Sequence, residues 1–228
     1  MKPEHPRQRL YLFTPILDGT SLDDTASFTR EIEAALAAAD IAAVLLRLAE
    51  SDERTLINRA KAAAEIVQRR DVALLIEDKP ELVARAGADG AHLTGIEAFA
   101  AALALLKPDR IAGAGGLRSR HDAMLAGEAN ADYVMFGDPD RQIERHGERH
   151  GERNGRLPFE EVLERLEWWA SLVELPCIGY AANLDEVGPL ARTGADFVAL
   201  GDWIWTHPQG VAAAIAAAAK NLGAPAGR

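Results

Sequence analysis

The chain has 228 residues, a formal charge of −10 and one cysteine, Cys177. This length suits one barrel-sized domain or two small ones, and we predict one. The acidic balance argues against nucleic-acid and anionic-membrane partners and favours small molecules. A lone cysteine cannot form an intrachain disulfide, which is typical of a reducing compartment, and no apolar run approaches the length of about 20 residues that spans a bilayer. We therefore predict a cytoplasmic protein that binds small molecules.

Short apolar runs alternate along the whole chain with longer segments of helical period, such as 52–70, whose apolar residues form one stripe. Runs of this kind are typical of parallel strands that helices cover on both faces. Eight such units favour an α/β fold, a single (β/α)8 TIM barrel across residues 1–228, with flexible ends at 1–9 and 223–228. The predicted strands are 10–16, 42–48, 72–77, 90–93, 110–115, 132–137, 176–180 and 196–201.

One phrase occurs three times, as ARAGADGAHLTG from residue 84, as ARTGADFVALGD from residue 191 and more loosely as AGEANADYVMFGD from residue 126. Each copy predicts the end of a helix, closed by a left-handed Gly87, Gly194 or Asn130, followed by a turn into the next strand. Such joints lie at the bottom of a barrel, away from the chemistry. We therefore predict structural roles for the aspartates of the phrase, which are Asp89, Asp132 and Asp196.

On a barrel, functional side chains follow the carboxyl ends of the strands. Asp78 and Glu97 follow neighbouring predicted strands and offer the oxygen ligands that Mg²⁺ prefers. Arg47, after strand two, is suited to binding a phosphate, or alternatively to an ion pair with Glu77 or Asp78. His92 on strand four is either a packed, hydrogen-bonded histidine or a base.

Two further segments lie at this end of the predicted barrel. Gly115 and Gly116 follow strand five and either present backbone amides to an anion or simply form a turn. An inserted loop at 138–157 contains the repeat ERHGERHGERNG. Its composition favours a mobile, solvated insertion, with a lid that grips metal or phosphate as the alternative.

The stretches LYLFTP, GADGAHL, ADYVMFG and GADFVALGDWI occur in an order and spacing that resembles the thiamine phosphate synthase family and its thiazole tautomerase relatives, from about residue 10 to residue 206. The resemblance implies an eight-stranded barrel that joins an aminopyrimidine diphosphate to a thiazole phosphate with Mg²⁺. It also implies that Arg47 grips the diphosphate, while Asp78 and Glu97 hold the metal. The positions that it places around the second substrate are Gly115, Tyr180, Ala181 and Asp202.

This chain departs from the family pattern after strand two, where Leu45 and Ala49 replace a glutamine and a lysine, and it departs further around that second substrate. Gly115 stands where the family has a serine, Tyr180 to Ala182 replace an expected Gly-Gly pair, and Asp202 replaces a serine. A carboxylate repels a phosphate, and more strongly in a dry pocket, so we expect the thiazole-phosphate cup to be absent.

Three functions remain open from the sequence. The first is a transferase of the thiamine phosphate synthase type, or a diverged relative, acting on phosphorylated heterocycles. The second is an isomerase that moves protons on a thiazole-like ring with His92 or Glu77 as the base. The third is a ligand-binding relative without catalysis. A homodimer is possible in each case.

Overall fold

The computed structural model describes residues 8–18, 25–139 and 157–223. Most of the predicted loop at 138–157 and of the predicted flexible ends therefore lies outside the described residues. The strands are β1 (Arg9–Leu17), β2 (Ile41–Leu48), β3 (Ala73–Glu77), β4 (Gly90–Thr94), β5 (Ile111–Gly115), β6 (Tyr133–Phe136), β7 (Cys177–Ala181) and β8 (Phe197–Leu200). The helices are α1 (Thr25–Ala38), α2 (Glu53–Gln68), α3 (Pro80–Ala86), α4 (Ile96–Leu106), α5 (Arg120–Glu128), α6 (Phe159–Leu172), α7 (Leu184–Arg192) and α8 (Val211–Leu222), with a short 3-10 helix η1 (Asp202–Ile204) after β8.

The eight strands form one closed parallel barrel, in which β8 pairs with β1. This confirms the predicted (β/α)8 TIM barrel, and every predicted strand is found within one residue at each end. The strands were recognisable because helices bury one face and the barrel interior buries the other, which requires continuous apolar sequence.

Helices pack on the outside of the barrel through single apolar stripes. In α2 the predicted stripe is buried from Leu56 to Val67, and Asp52 caps the helix by accepting a hydrogen bond from the Thr55 amide at 3.0 Å. In α6 Trp169 is buried while its neighbour Trp168 is half-buried, as expected for adjacent helical residues that cannot share a face. Within the described ranges, no helix combines the length and the apolar character required to cross a bilayer.

The inside of the barrel is filled by a separate apolar cluster rich in aromatic rings. Gly113 on β5 pairs with Tyr133 on β6, and a β-carbon at Gly113 would overlap the Tyr133 ring. The missing side chain therefore makes room for the tyrosine in the barrel interior. The buried members of this cluster are Tyr11, Phe13, Ala43, Leu45, Leu75, Tyr133, Met135, Ile178, Tyr180 and Ala199.

The repeated phrase forms the joints at the bottom of the barrel, as predicted. Gly87, Gly194 and Asn130 have φ angles of 73°, 90° and 63°. This left-handed conformation suits glycine and is tolerated by asparagine better than by other residues.

Each aspartate of the phrase makes two hydrogen bonds to one residue of the preceding strand. The Asp89 amide donates to the Leu74 carbonyl at 2.8 Å, and the Leu74 amide donates to the Asp89 carboxylate at 2.7 Å. The same reciprocal pair, which we call the aspartate clasp, joins Asp132 to Ala112 and Asp196 to Cys177. The clasps tie β4 to β3, β6 to β5 and β8 to β7, which confirms the structural role.

A related joint, which is not one of the three copies of the repeated phrase, precedes β2. Ala39 and Asp40 occupy the positions of the Ala-Asp pair. Here the Asp40 carboxylate accepts a hydrogen bond from Arg9 Nε at 2.8 Å, and Arg9 also donates to the Ile41 carbonyl. At this joint the Arg9 side chain on β1 donates to the aspartate carboxylate, whereas a strand amide donates to it at the other three joints.

We predict that Asp89→Ala lowers the free energy of unfolding by about 1–3 kcal/mol, because it leaves the buried Leu74 amide without its acceptor. The loss is measured by urea unfolding followed by circular dichroism. Asp109→Ala, in the exposed turn after α4, is the matched control and should change the free energy by less than about 0.5 kcal/mol. Equal losses in the two variants would contradict a specific role for the clasp.

Candidate active site

The carboxyl ends of all eight strands lie at one end of the barrel, which we call the mouth. Each βα segment therefore delivers its first polar side chains to the same region. Several sequence-predicted site residues occupy these strand ends, and they are Arg47, Glu77, Asp78, His92, Gly115, Tyr180, Ala181 and Asp202.

Arg47 is a buried cation at the mouth, with a relative exposure of 5%. Its Nε donates to the Thr14 carbonyl at 2.6 Å, and its guanidinium carbon lies 5.7 Å from the centre of the Phe13 ring. Its Nη2 forms an ion pair with Asp202 Oδ1. The sequence pointed to Glu77 or Asp78 as the ion-pair partner, whereas the structure shows a pair with Asp202, from the far end of the chain.

His92 lies inside the barrel at the end of a chain of hydrogen bonds. Its Nδ1 is 2.9 Å from the Tyr133 hydroxyl, which is 3.0 Å from the Tyr11 hydroxyl. The His92 and Tyr133 rings are stacked, with centroids 5.7 Å apart. Burial raises the pKa of both tyrosines, so both phenols stay protonated at neutral pH. His92 therefore has the packed, hydrogen-bonded environment that was one of its two predicted alternatives.

Glu77 comes from the strand next to His92, and the two residues are directly paired in register. Its charge contributes to the raised pKa of Tyr11, after burial and the neighbouring Tyr133. The Glu77 residue is half-buried.

Asp78 is an exposed carboxylate held in a defined position. Its φ is 50°, its amide donates to the His92 carbonyl at 2.9 Å, and its Oδ1 accepts a hydrogen bond from the Thr94 amide at 2.7 Å. The Thr94 hydroxyl oxygen is buried and has no hydrogen-bond partner among the described residues. Glu97 is also exposed, in the first turn of α4, and its carboxylate lies over Gly95.

These oxygen atoms suit a hard cation. Carboxylates and a hydroxyl match the preference of Mg²⁺, which usually binds one or two protein carboxylates and completes its coordination with water and substrate phosphate. The described residues contain no cluster of three or more histidine, cysteine or acidic side chains that would enclose a metal by themselves. The carboxylates of Asp78 and Glu97 are therefore oxygen donors of the kind that such a cation uses.

Gly115 has a different role from the predicted anion contact. A β-carbon at Gly115 would overlap His92 Nε2, so this glycine makes room for the histidine ring. The neighbouring Gly116, at φ 62°, does present its amide to an acceptor at the mouth. That amide donates to Asp138 Oδ1 at 3.1 Å, so an anionic group of the chain already occupies this position.

The end of β7 is also more enclosed than the sequence indicated. Tyr180 is buried, packs edge-on against Phe13 with centroids 5.2 Å apart and lies over Gly201. Ala181 is fully buried, and its carbonyl accepts hydrogen bonds from the Gly201 amide and from Trp203 Nε1. Both residues therefore form the floor of the mouth.

Directly after β7, the backbone amide of Ala182 donates to Glu186 Oε2 at 2.8 Å. Asn183 caps α7 and also donates from its side chain to Glu186. From the sequence we expect no phosphate cup at this strand end. In the structure the Ala182 amide is bonded to the Glu186 carboxylate.

Sequence reasoning missed Phe13, Thr14 and Tyr133 as site residues. The run LYLFTPI places Thr14 near a strand end, and the strand-end rule applied to β1 would have identified it. Phe13 and Tyr133 resemble ordinary core residues, and nothing local distinguishes them. Phe13 contacts Arg47, Tyr180 and His92, so it connects the two halves of the site.

Comparisons with known proteins agree with this architecture. A family model described as thiamine monophosphate synthase matches residues 10–143. A thiamine-phosphate synthase of Rhodospirillum centenum is 36% identical over 91% of this chain and 94% of its own length. A thiamine-phosphate synthase of Hyphomonas neptunium is 38% identical over 93% of this chain and 92% of its own length.

Among solved structures, a thiamine phosphate pyrophosphorylase from Pyrococcus furiosus superposes with a TM-score of 0.69 at 19% identity, covering 95% of this chain and 96% of that one. At that identity the structure supports the fold alone. The family model matches more than half of the chain and the two relatives extend over nearly the whole barrel, which shows that this chain belongs to the thiamine monophosphate synthase family.

Proposed function

We propose that the protein is a thiamine-phosphate synthase, which transfers an aminopyrimidine group from its diphosphate to a thiazole phosphate. The observation that carries the proposal is the buried guanidinium of Arg47 at the mouth of a barrel of this family. A fixed, partly desolvated cation at a strand end is suited to binding diphosphate oxygens.

The free protein holds Arg47 ready for this role. The bond from Nε to the Thr14 carbonyl and the contact with Phe13 fix the guanidinium plane without involving Nη2. A diphosphate at Nη2 would then meet a cation whose orientation costs little further entropy.

Asp78 and Glu97 are proposed to hold Mg²⁺ on the side of the mouth formed by β3 and β4. When bound, Mg²⁺ neutralises charge that builds up on the departing diphosphate. The hydrogen bond from the Thr94 amide keeps Asp78 in place, and the Thr94 hydroxyl adds an uncommitted oxygen nearby. The second substrate is proposed to lie near Asp202, above Tyr180 and Ala181. Gly115 is proposed to contribute indirectly, because it leaves room for the His92 ring.

The direct test titrates purified protein calorimetrically with the aminopyrimidine diphosphate, with and without Mg²⁺, and then assays coupling to thiazole phosphate. We expect Mg²⁺-dependent binding followed by turnover. Binding without turnover would favour an isomerase using His92 or Glu77, or a ligand-binding protein. Absence of binding would overturn the transferase proposal.

Asp78→Asn tests the metal ligands, because asparagine keeps the acceptor for the Thr94 amide and tolerates φ of 50°, so that only the charge is lost. We expect an apparent Mg²⁺ affinity at least about tenfold lower, measured from the Mg²⁺ dependence of turnover. Asp71→Asn is the matched control, since Asp71 also has positive φ, at 55°, but lies at the opposite end of β3. An unchanged Mg²⁺ response in Asp78→Asn would remove the assignment.

We also propose a homodimer that forms through the outer faces of α4 and α5. Helix α4 is apolar nearly all round, yet Leu105 is 59% exposed, and Met124 on α5 is 41% exposed. Helices of this composition are normally covered, and exposed apolar patches mark interfaces. A second copy of the chain would cover both helices.

Leu105→Glu should convert the dimer to a monomer, because it places a charge in the apolar centre of the interface. Light scattering after size-exclusion chromatography measures the mass directly. Ala62→Glu, on the exposed face of α2, is the control and should remain dimeric. A monomeric wild-type protein at micromolar concentrations would contradict the proposal.

A further inference from the structure

Three hydrogen-bond donors at the mouth, each of a kind suited to binding an anion, are bonded to carboxylates of the chain itself. Each of these groups is a donor that an incoming phosphate or diphosphate would use. The carboxylates come from three different βα segments, so the pattern is a property of the whole mouth. The pairs are Arg47 with Asp202, the Gly116 amide with Asp138, and the Ala182 amide with Glu186.

The pair between Arg47 and Asp202 is strongly asymmetric. The side chain of Arg47 is 6% exposed, whereas that of Asp202 is 60% exposed. A buried guanidinium without a counter-ion is costly, so the free protein needs this carboxylate. Asp202 itself remains largely solvated, and its return to water costs little.

We propose that Asp202 is the displaceable counter-ion of Arg47 and thereby sets the affinity of the site for the diphosphate group. The incoming anion takes over Nη2 of Arg47, and the Asp202 carboxylate turns into solvent. This inference rests on the proposed function for the identity of the anion, but it concerns the exchange at Arg47 and not the transfer reaction.

The surrounding contacts allow the exchange without moving the backbone. Arg47 keeps its bond to the Thr14 carbonyl, so its guanidinium stays in place when Asp202 leaves. The chain after Asp202 is fixed by two tryptophans, since Trp203 donates to the Ala181 carbonyl at 3.1 Å and Trp205 donates to the Phe13 carbonyl at 2.7 Å. Only the Asp202 side chain has to rotate.

The test measures binding of inorganic pyrophosphate to the full chain by calorimetry in low salt without Mg²⁺. In the wild-type protein pyrophosphate must displace a carboxylate, whereas in Asp202→Asn it meets an unneutralised cation. We expect Asp202→Asn to bind pyrophosphate about tenfold more tightly, a gain that higher ionic strength reduces. Asp202→Glu, which keeps the charge, should stay within about threefold of wild type.

Thermal unfolding gives a second readout that does not depend on the calorimetry. Without ligand, Asp202→Asn should melt at a lower temperature than wild type, because Arg47 is left without its counter-ion. Saturating pyrophosphate should raise its melting temperature by more than that of wild type, since the tighter ligand stabilises the folded state more.

Asp185→Asn is the matched control, because it removes one exposed carboxylate from the first turn of α7, at the same end of the barrel. Its affinity for pyrophosphate should change by less than about twofold. An equal gain in affinity for Asp185→Asn and Asp202→Asn would show that the change in net charge alone causes the gain, and it would overturn the proposal. No gain in Asp202→Asn, or no pyrophosphate binding by any of the proteins, would also overturn it.

These outcomes are separate from failure of the proposed function. If Asp202→Asn binds pyrophosphate more tightly while wild-type protein couples no substrates, the counter-ion role stands and the transferase proposal fails. If wild-type protein couples the substrates and Asp202→Asn shows no gain, the reverse holds.

Discussion

The aspartate clasp at the bottom of the barrel is the interaction on which the mouth depends. It joins the residue directly before β4, β6 and β8 to one residue of the preceding strand with two hydrogen bonds. Because side chains alternate between the two faces of a strand, a shift of one residue would turn interior residues outward. The clasp therefore contributes to the register of these three strands, and with it to which of their side chains reach the interior.

The interior then supports the site. Tyr133 extends across the space above Gly113 to reach His92, and His92 in turn occupies the space above Gly115. Phe13 packs against His92, Tyr180 and the guanidinium of Arg47. An aromatic layer under a buried cation keeps that cation oriented, as the proposed role of Arg47 requires.

The mouth of this chain combines the family framework with three carboxylates that bind donors of the chain itself. Three carboxylates satisfy donors that would otherwise be exposed to solvent or left unpaired in the free protein. Two of them, Asp138 and Glu186, bind backbone amides, and Asp202 binds the buried Arg47. If the proposed exchange at Arg47 is correct, anion binding there is a competition with Asp202, and affinity depends on how readily that carboxylate returns to water.

The sequence by itself determined the strands, the joints and the residues at the strand ends. Strands buried on both faces need continuous apolar runs, and a left-handed helix end needs glycine or asparagine, so both are written in local sequence. The position of Asp78 and Glu97 after β3 and β4 follows from the same rule. Only the tertiary structure decided that Arg47 pairs with Asp202, which is 155 residues away, and that His92 bonds to Tyr133. Closing the barrel places β8 beside β1, which also pairs with β2, and the strand register determines which residues meet across the interior. No local pattern encodes either arrangement.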